Sequence, residues 1–210
     1  MVKNNDLNNS DKNTEKIILD AAKKVFLVKG FDGARMQEIA DEAGINKALV
    51  HYYFRSKENL FDAIFKEAFQ QFMPQVAEIV NSEESLIRII EKFSDMYTRM
   101  LLNNPHLPMF ILHEINRNPE QLAEKFRSFG VKPEQLVQVF QKKCSQENYR
   151  VIDPRHLIVN LLGLCIFPFV ARPIIQKLIF NNNSSEYNKF LESRKKEVAE
   201  FIINAISIKK

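Results

Sequence analysis

The amino-acid sequence predicts an all-α fold, and three observations carry the prediction. Apolar residues recur at three- and four-residue intervals along most of the 210-residue chain, the period of an amphipathic helix. Strand-like alternation bounded by hairpin signals is absent from the sequence, and prolines open most of the later helical segments. Five glycines stand against seventeen phenylalanines, which argues against sheet-and-loop folds and against glycine-rich phosphate cradles.

The elements follow in order. Residues 1–13, MVKNNDLNNSDKN, hold no apolar run after the first lysine, so they do not read as a secretory signal and are expected to form a disordered tail. Over residues 14–29, Ile17, Ile18, Ala21, Ala22, Val25 and Phe26 form a helical stripe that Gly30 ends. Asp32-Gly33 turns the chain, and Met36, Ile39, Ala40 and Ala43 line a short second helix that stops at Gly44. Asn46 is placed to N-cap a third helix from Lys47 to Phe54, with Ile45, Val50 and Phe54 inward, and Ser56 to cap a fourth.

That fourth helix carries Leu60, Phe61, Ile64, Phe65, Ala68, Phe69 and Phe72 over more than one stripe. It should therefore touch two neighbours and bridge two modules, with Pro74 bending or ending it. Further helices are expected over 84–102, 108–116, 119–129, 133–144, 154–180 with breaks near Pro168 and Pro173, and 186–206. The expected organisation is a tail over 1–13, a helix-turn-helix domain over 14–60 and a larger helical domain over 61–210.

Composition narrows the function. Thirty Lys and Arg against twenty-six Asp and Glu leave a net charge of +4, which permits a nucleic-acid or other anionic partner without establishing one. Cys144 and Cys165 lack CxxC spacing and suit two buried thiols in a reducing cytoplasm, the expected location. The most apolar stretch, residues 157–171, falls short of the roughly 20 residues that span a bilayer and contains Asn160 and Pro168, so it reads as a core or subunit-interface helix and not as a membrane anchor. No nucleophile elbow, P-loop, dinucleotide fingerprint or spaced set of metal ligands occurs, so neither catalysis nor a cofactor is expected. HEINR, from His113, begins like a zinc-hydrolase motif, but Arg117 stands where the second histidine is required.

Two short helices joined by Ala43-Gly44-Ile45-Asn46 form a helix-turn-helix, in which the glycine permits the turn and Ala40 and Ala43 allow close packing. The stretch GINKALVHYYFRSK holds Lys47, Arg55 and Lys57 and no acid, whereas the preceding helix holds Glu38, Asp41 and Glu42. Lys47 and His51, four residues apart, share one face, where a lysine can donate to guanine and a histidine can meet a base edge or a phosphate. Tyr52 and Tyr53 offer hydroxyls to phosphate, and Lys57 and Arg35 offer charge near helix starts. The competing reading makes the aromatic residues half-buried packing and the lysines solvated.

The stretch over residues 14–65, TEKIILDAAKKVFLVKGFDGARMQEIADEAGINKALVHYYFRSKENLFDAIF, resembles the DNA-binding domain of TetR-family transcriptional regulators. The resemblance rests on Ala21-Ala22 and Phe26, Gly30-Phe31, Ile39-Ala40, Ala43-Gly44-Ile45, Tyr53-Phe54, and Ser56-Lys57 with Leu60. It implies a homodimer of nine or so helices per subunit that binds double-stranded operator DNA, with a C-terminal domain that dimerises and often holds an inducer. It places Lys47, Ala48 and His51 at bases, and Arg35, Tyr52, Tyr53 and Lys57 at phosphates. The sequence departs from the family pattern at Arg35, Leu49 and His51, so the base preference of His51 is not inherited.

For the remainder, Phe93, Met96, Tyr97, Met100, Phe110 and Glu114 could line an apolar small-molecule pocket with one acidic residue, or could be ordinary core. The last two long segments hold too much apolar surface for one outward layer. A four-helix dimer interface is expected to bury Leu157, Leu161, Leu164, Phe190, Val198, Phe201 and Ile202 in some division between the subunits. The function expected is a ligand-responsive regulator, most simply a repressor. The alternative is one governed by a protein partner or by no effector.

Overall fold

The structure, a computed structural model, describes the backbone of residues 3–208 except 131, 148 and 151, and the side chains from residue 11 onward. Every regular element among the described residues is a helix: α1 Lys3–Gly33, α2 Met36–Ala43, α3 Lys47–Phe54, α4 Lys57–Asn81, α5 Leu86–Asn103, α6 Leu107–Arg117, α7 Pro119–Ser128, α8 Pro133–Gln146, α9 Pro154–Val170, α10 Arg172–Leu178 and α11 Ser184–Ile206. The chain divides into two compact units between Ala68 and Phe69. This lies later than the expected 60/61 boundary because α4 keeps touching α1, with Lys23 Nζ 2.7 Å from Glu67 Oε2.

In the first unit, Ile18, Ala22 and Phe26 of α1 meet Ile39 and Ala40 of α2, Val50 of α3, and Leu60 and Phe61 of α4 in a buried core. Phe26, Phe31 and Phe61 form a ring cluster with centroids 5.4 to 5.8 Å apart. One expectation is corrected here. Helical backbone begins at Lys3 and not after residue 13, because extending a nucleated helix adds a hydrogen bond for each residue fixed, and Asp11 gains a partner in Tyr53. At Gly30 the backbone leaves the helical region (φ 68°, ψ 175°), so the first helical run ends there as expected and a short second run within α1 follows to Gly33; φ in this left-handed region favours glycine.

In the second unit, α5 packs on α9 and α11, burying Leu86, Ile89, Ile90 and Leu101 with Leu161, Cys165, Leu191 and Val198. Pro74 neither ends α4 nor limits it: the helix runs on to Asn81, with Pro74 exposed and Phe72 and Val76 buried on either side of it. Pro168 is likewise retained within α9, and the chain turns by 71° between α9 and α10, where Pro173 opens the new helix. The buried Tyr187 hydroxyl donates to the Pro168 carbonyl and fastens α11 to that corner. Both cysteines are unpaired and buried, and burial pushes the Cys165 thiol up to about 11. Among the described residues no single helix is long and apolar enough to cross a membrane.

Candidate nucleic-acid interface

Local chemistry sets α3. Gly44 adopts φ 67°, ψ 28°, and the N–H groups of Gly44 and Ile45 donate to the Asp41 and Ala40 carbonyls, which satisfies the end of α2. Two residues later the Asn46 side chain accepts from the Leu49 N–H at 2.7 Å and starts α3. Val50 and Phe54 are buried beneath the helix, so Lys47, Ala48, His51 and Tyr52 stand exposed along its outer side.

The charge around this face is sorted by pairing. Glu38 accepts from Lys29 at 2.7 Å and Glu42 from Lys24 at 2.8 Å, so α1 lysines neutralise two α2 carboxylates. The Lys29 ammonium holds the Glu38 carboxyl below its ordinary value. Asp41 accepts from Gln37 at 2.8 Å. Glu38 also accepts from the backbone N–H of Arg35, the residue that caps α2 and leaves its side chain exposed. The outer side of α3 carries no acid, and Lys47 has no ion-pair partner among the described residues.

Two expected phosphate-binding residues are engaged within the chain. The Tyr53 hydroxyl donates to Asp11 Oδ1 at 2.8 Å, and the neighbouring carboxylate raises its pKa. Lys57 Nζ lies 4.5 Å over the Phe31 ring and donates to the Ala34 and Asp32 carbonyls at 3.3 and 3.4 Å, tying the start of α4 to the end of α1 and the link that follows it. An ammonium has three N–H donors, so one remains for a phosphate. Sequence reasoning missed Asp11, whose partner is distant in the chain. It also counted Arg55 only as a charge and missed its backbone, which leaves α3 with φ 59°, ψ −44° and offers its carbonyl to His51 Nδ1 at 2.9 Å.

In the second unit, Tyr97, Met100, Phe110 and Glu114 are buried, and Phe93 and Met96 half-buried. Phe72, Phe93 and Tyr97 pack with ring centroids 5.4 to 6.3 Å apart, and burial raises the Tyr97 phenol well above its ordinary pKa. No cation or donor is paired with the Glu114 carboxylate among the described residues. Four of the seven expected interface residues, Leu157, Leu161, Val198 and Ile202, lie in this unit's own core and have no surface left to give a partner. Leu164 and Phe190 are half-buried, whereas Phe201 is 64% exposed. The exposed apolar side chains of this region are Val159, Leu162 and Phe167 on α9, Ile174, Leu178 and Ile179 on and just after α10, and Phe201 on α11. No group of three or more His, Cys, Asp or Glu side chains among the described residues could hold a metal ion.

Residues 18–64 match the family model of the bacterial regulatory proteins of the tetR family. Over 178 residues the chain is 22% identical to the probable HTH-type transcriptional regulator YttP of Bacillus subtilis, covering 83% of this chain and 86% of that protein. Over 53 residues it is 43% identical to the transcriptional regulator RutR of Escherichia coli, a quarter of each chain. Among solved structures it is similar to HlyIIR, a hemolysin II transcriptional regulator, with 27% identity, a TM-score of 0.66, and coverage of 94% of this chain and 99% of that one. It also shares its fold with FadR of Bacillus subtilis in complex with stearoyl-CoA, at 17% identity and a TM-score of 0.65, over 91% of this chain and 98% of that one.

Proposed function

The chain is a TetR-family DNA-binding transcriptional regulator, and from that premise we propose that it acts in the cytoplasm as a homodimeric repressor of a palindromic operator, released by a small apolar or amphipathic effector. The observation that carries this reading is the acid-free outer side of a well-capped α3. Lys47, Ala48 and His51 meet base edges there, while Arg35, Tyr52, Lys57 and Tyr53 meet phosphates, Tyr53 by exchanging Asp11 for DNA. Two copies joined through the apolar side chains of α9, α10 and α11 present two such helices to successive major grooves.

Support for the effector comes from α4 and from the likeness to FadR with its stearoyl-CoA. One continuous helix puts Phe61 against Phe26 and Phe31 in the first unit, and Phe72 against Phe93 and Tyr97 in the second. A ligand lodged among Tyr97, Met100, Phe110 and Glu114 displaces α4 and so disturbs both recognition helices. By linkage it binds operator-free protein more tightly, by about 1–3 kcal/mol. The close ring packing of Phe72, Phe93 and Tyr97 favours a second reading, in which this region is filled core and regulation comes from a protein partner or is absent.

Selection from random DNA tests the reading. The expected product is an inverted repeat, with Lys47→Ala losing roughly 5- to 150-fold on it and little on scrambled DNA. Equal losses on both, or enrichment of a single half-site, would contradict it.

A further inference from the structure

We propose that His51 reads exocyclic amino groups: on the strand it faces, it accepts a hydrogen bond through Nε2 from adenine N6 or cytosine N4, and rejects guanine and thymine. This rests on α3 being the recognition helix.

The argument begins at the other ring nitrogen. His51 Nδ1 lies 2.9 Å from the Arg55 carbonyl oxygen. A carbonyl oxygen only accepts, so Nδ1 carries the proton. In the neutral imidazole, the form on which the proposal rests, this is the single N–H, and Nε2 is then a bare lone pair. Nε2 has no partner among the described residues, and the side chain is exposed on the same side of α3 as Lys47.

Two bonds hold this tautomer in place. The Arg55 N–H donates to the His51 carbonyl at 2.9 Å, while the Arg55 carbonyl takes the imidazole proton. That carbonyl is brought round by the abrupt exit of the chain at φ 59°, ψ −44°, a conformation that costs a residue with a Cβ and that its surroundings must enforce. Arg55 is thus a positioning residue for the ring through its backbone.

Chemistry then decides the base. In the major groove adenine and cytosine each present an amino donor, at N6 and N4, whereas guanine O6 and N7 and thymine O4 are acceptors. A lone pair on Nε2 meets a hydrogen in the first case and another lone pair in the second. Every base pair carries one amino and one keto edge, so His51 reads which strand holds the amino group. Lys47, one turn earlier, has donors only and so seeks acceptors, guanine O6 and N7 above all.

The test is selection from random DNA with the full-length wild type, His51→Ala and His51→Lys. The wild type is expected to enrich adenine or cytosine at one column of each half-site. His51→Ala flattens that column, and His51→Lys turns it to guanine or thymine. On the selected operator, replacing the adenine there by purine, or the cytosine by pyrimidin-2-one, removes only the amino group. This weakens the wild type roughly five- to tenfold and leaves His51→Ala unchanged. Guanine or thymine at the column that His51→Ala flattens overturns the proposal and leaves α3 as the reader. So does selection in which Lys47→Ala alters a column and His51→Ala alters none. Failure of the wild type to enrich any sequence overturns the proposal together with the reading of α3.

Discussion

The two units differ in what they leave unfinished. In the first, the charged side chains of α1 and α2 are paired across the helices, as Lys24 with Glu42 and Lys29 with Glu38, and the outward side of α3 is polar and basic. In the second, large apolar side chains stand exposed along α9, α10 and α11, with Val159, Phe167 and Phe201 each at least 60% exposed. Among the described residues, Ser94 Oγ and Arg194 Nε are buried side-chain polar atoms without a partner, and both belong to the second unit. A polar open face costs little in water and awaits a charged, hydrated partner, whereas an apolar open face is completed only by another apolar surface.

The largest expected effect tests the apolar side of that contrast. Phe167→Glu or Phe201→Glu should convert the dimer to a folded monomer in sedimentation, with circular dichroism unchanged, and lower operator affinity about 100-fold or more as the two half-sites lose their linkage. Val28→Glu in the first unit, where Val28 is 80% exposed, should change neither the mass nor the fold. If both phenylalanine variants remain dimeric, the contrast between the units does not lie in association.

A smaller effect tests another unfinished feature of the second unit. Ser94 is fully buried and its hydroxyl has no partner, so Ser94→Ala should raise stability to denaturant by about 1 kcal/mol. A loss of stability would mean that the hydroxyl is already satisfied, by an internal water for instance. The smallest effect concerns Asp153, which caps α9 and whose carboxyl is held by Arg155 at about 2, below the ordinary carboxylate range. A carboxylate depressed on folding stabilises above its unfolded value, and that contribution fades as pH falls from about 4 toward 2. Asp153→Asn should flatten the acid limb of a melting-temperature profile over that window. An unchanged limb would show that the pair adds nothing to the fold.

What the sequence made legible was local. The bounds of α2 and α3 follow from Gly44 and Asn46, whose capping chemistry acts within a few residues. Tertiary partners were not legible. The bond of Tyr53 to Asp11 joins residues far apart in the chain, and nothing near either predicts it. On α9 the difficulty is different, because the helix is apolar all round and its period marks no single inward face. Leu157, Leu161 and Cys165 turned out to be core, and Val159, Leu162 and Phe167 surface, which depends on where α5 and α11 lie. Pro74 was expected to bend or end α4 because a missing N–H is a local fact, while the burial of Phe72 and Val76 that carries α4 past it is not.

The footing of α3 has a consequence for how such a protein can diversify. Its cap at Asn46 and its buried Val50 and Phe54 hold the helix from below, and Lys47 and Ala48 stand exposed on the opposite side. On the proposed reading of α3, substitutions at those two positions alter which DNA is preferred while leaving folding nearly untouched. The address that the protein recognises can therefore drift or be redesigned one side chain at a time, without a compensating change elsewhere in the molecule.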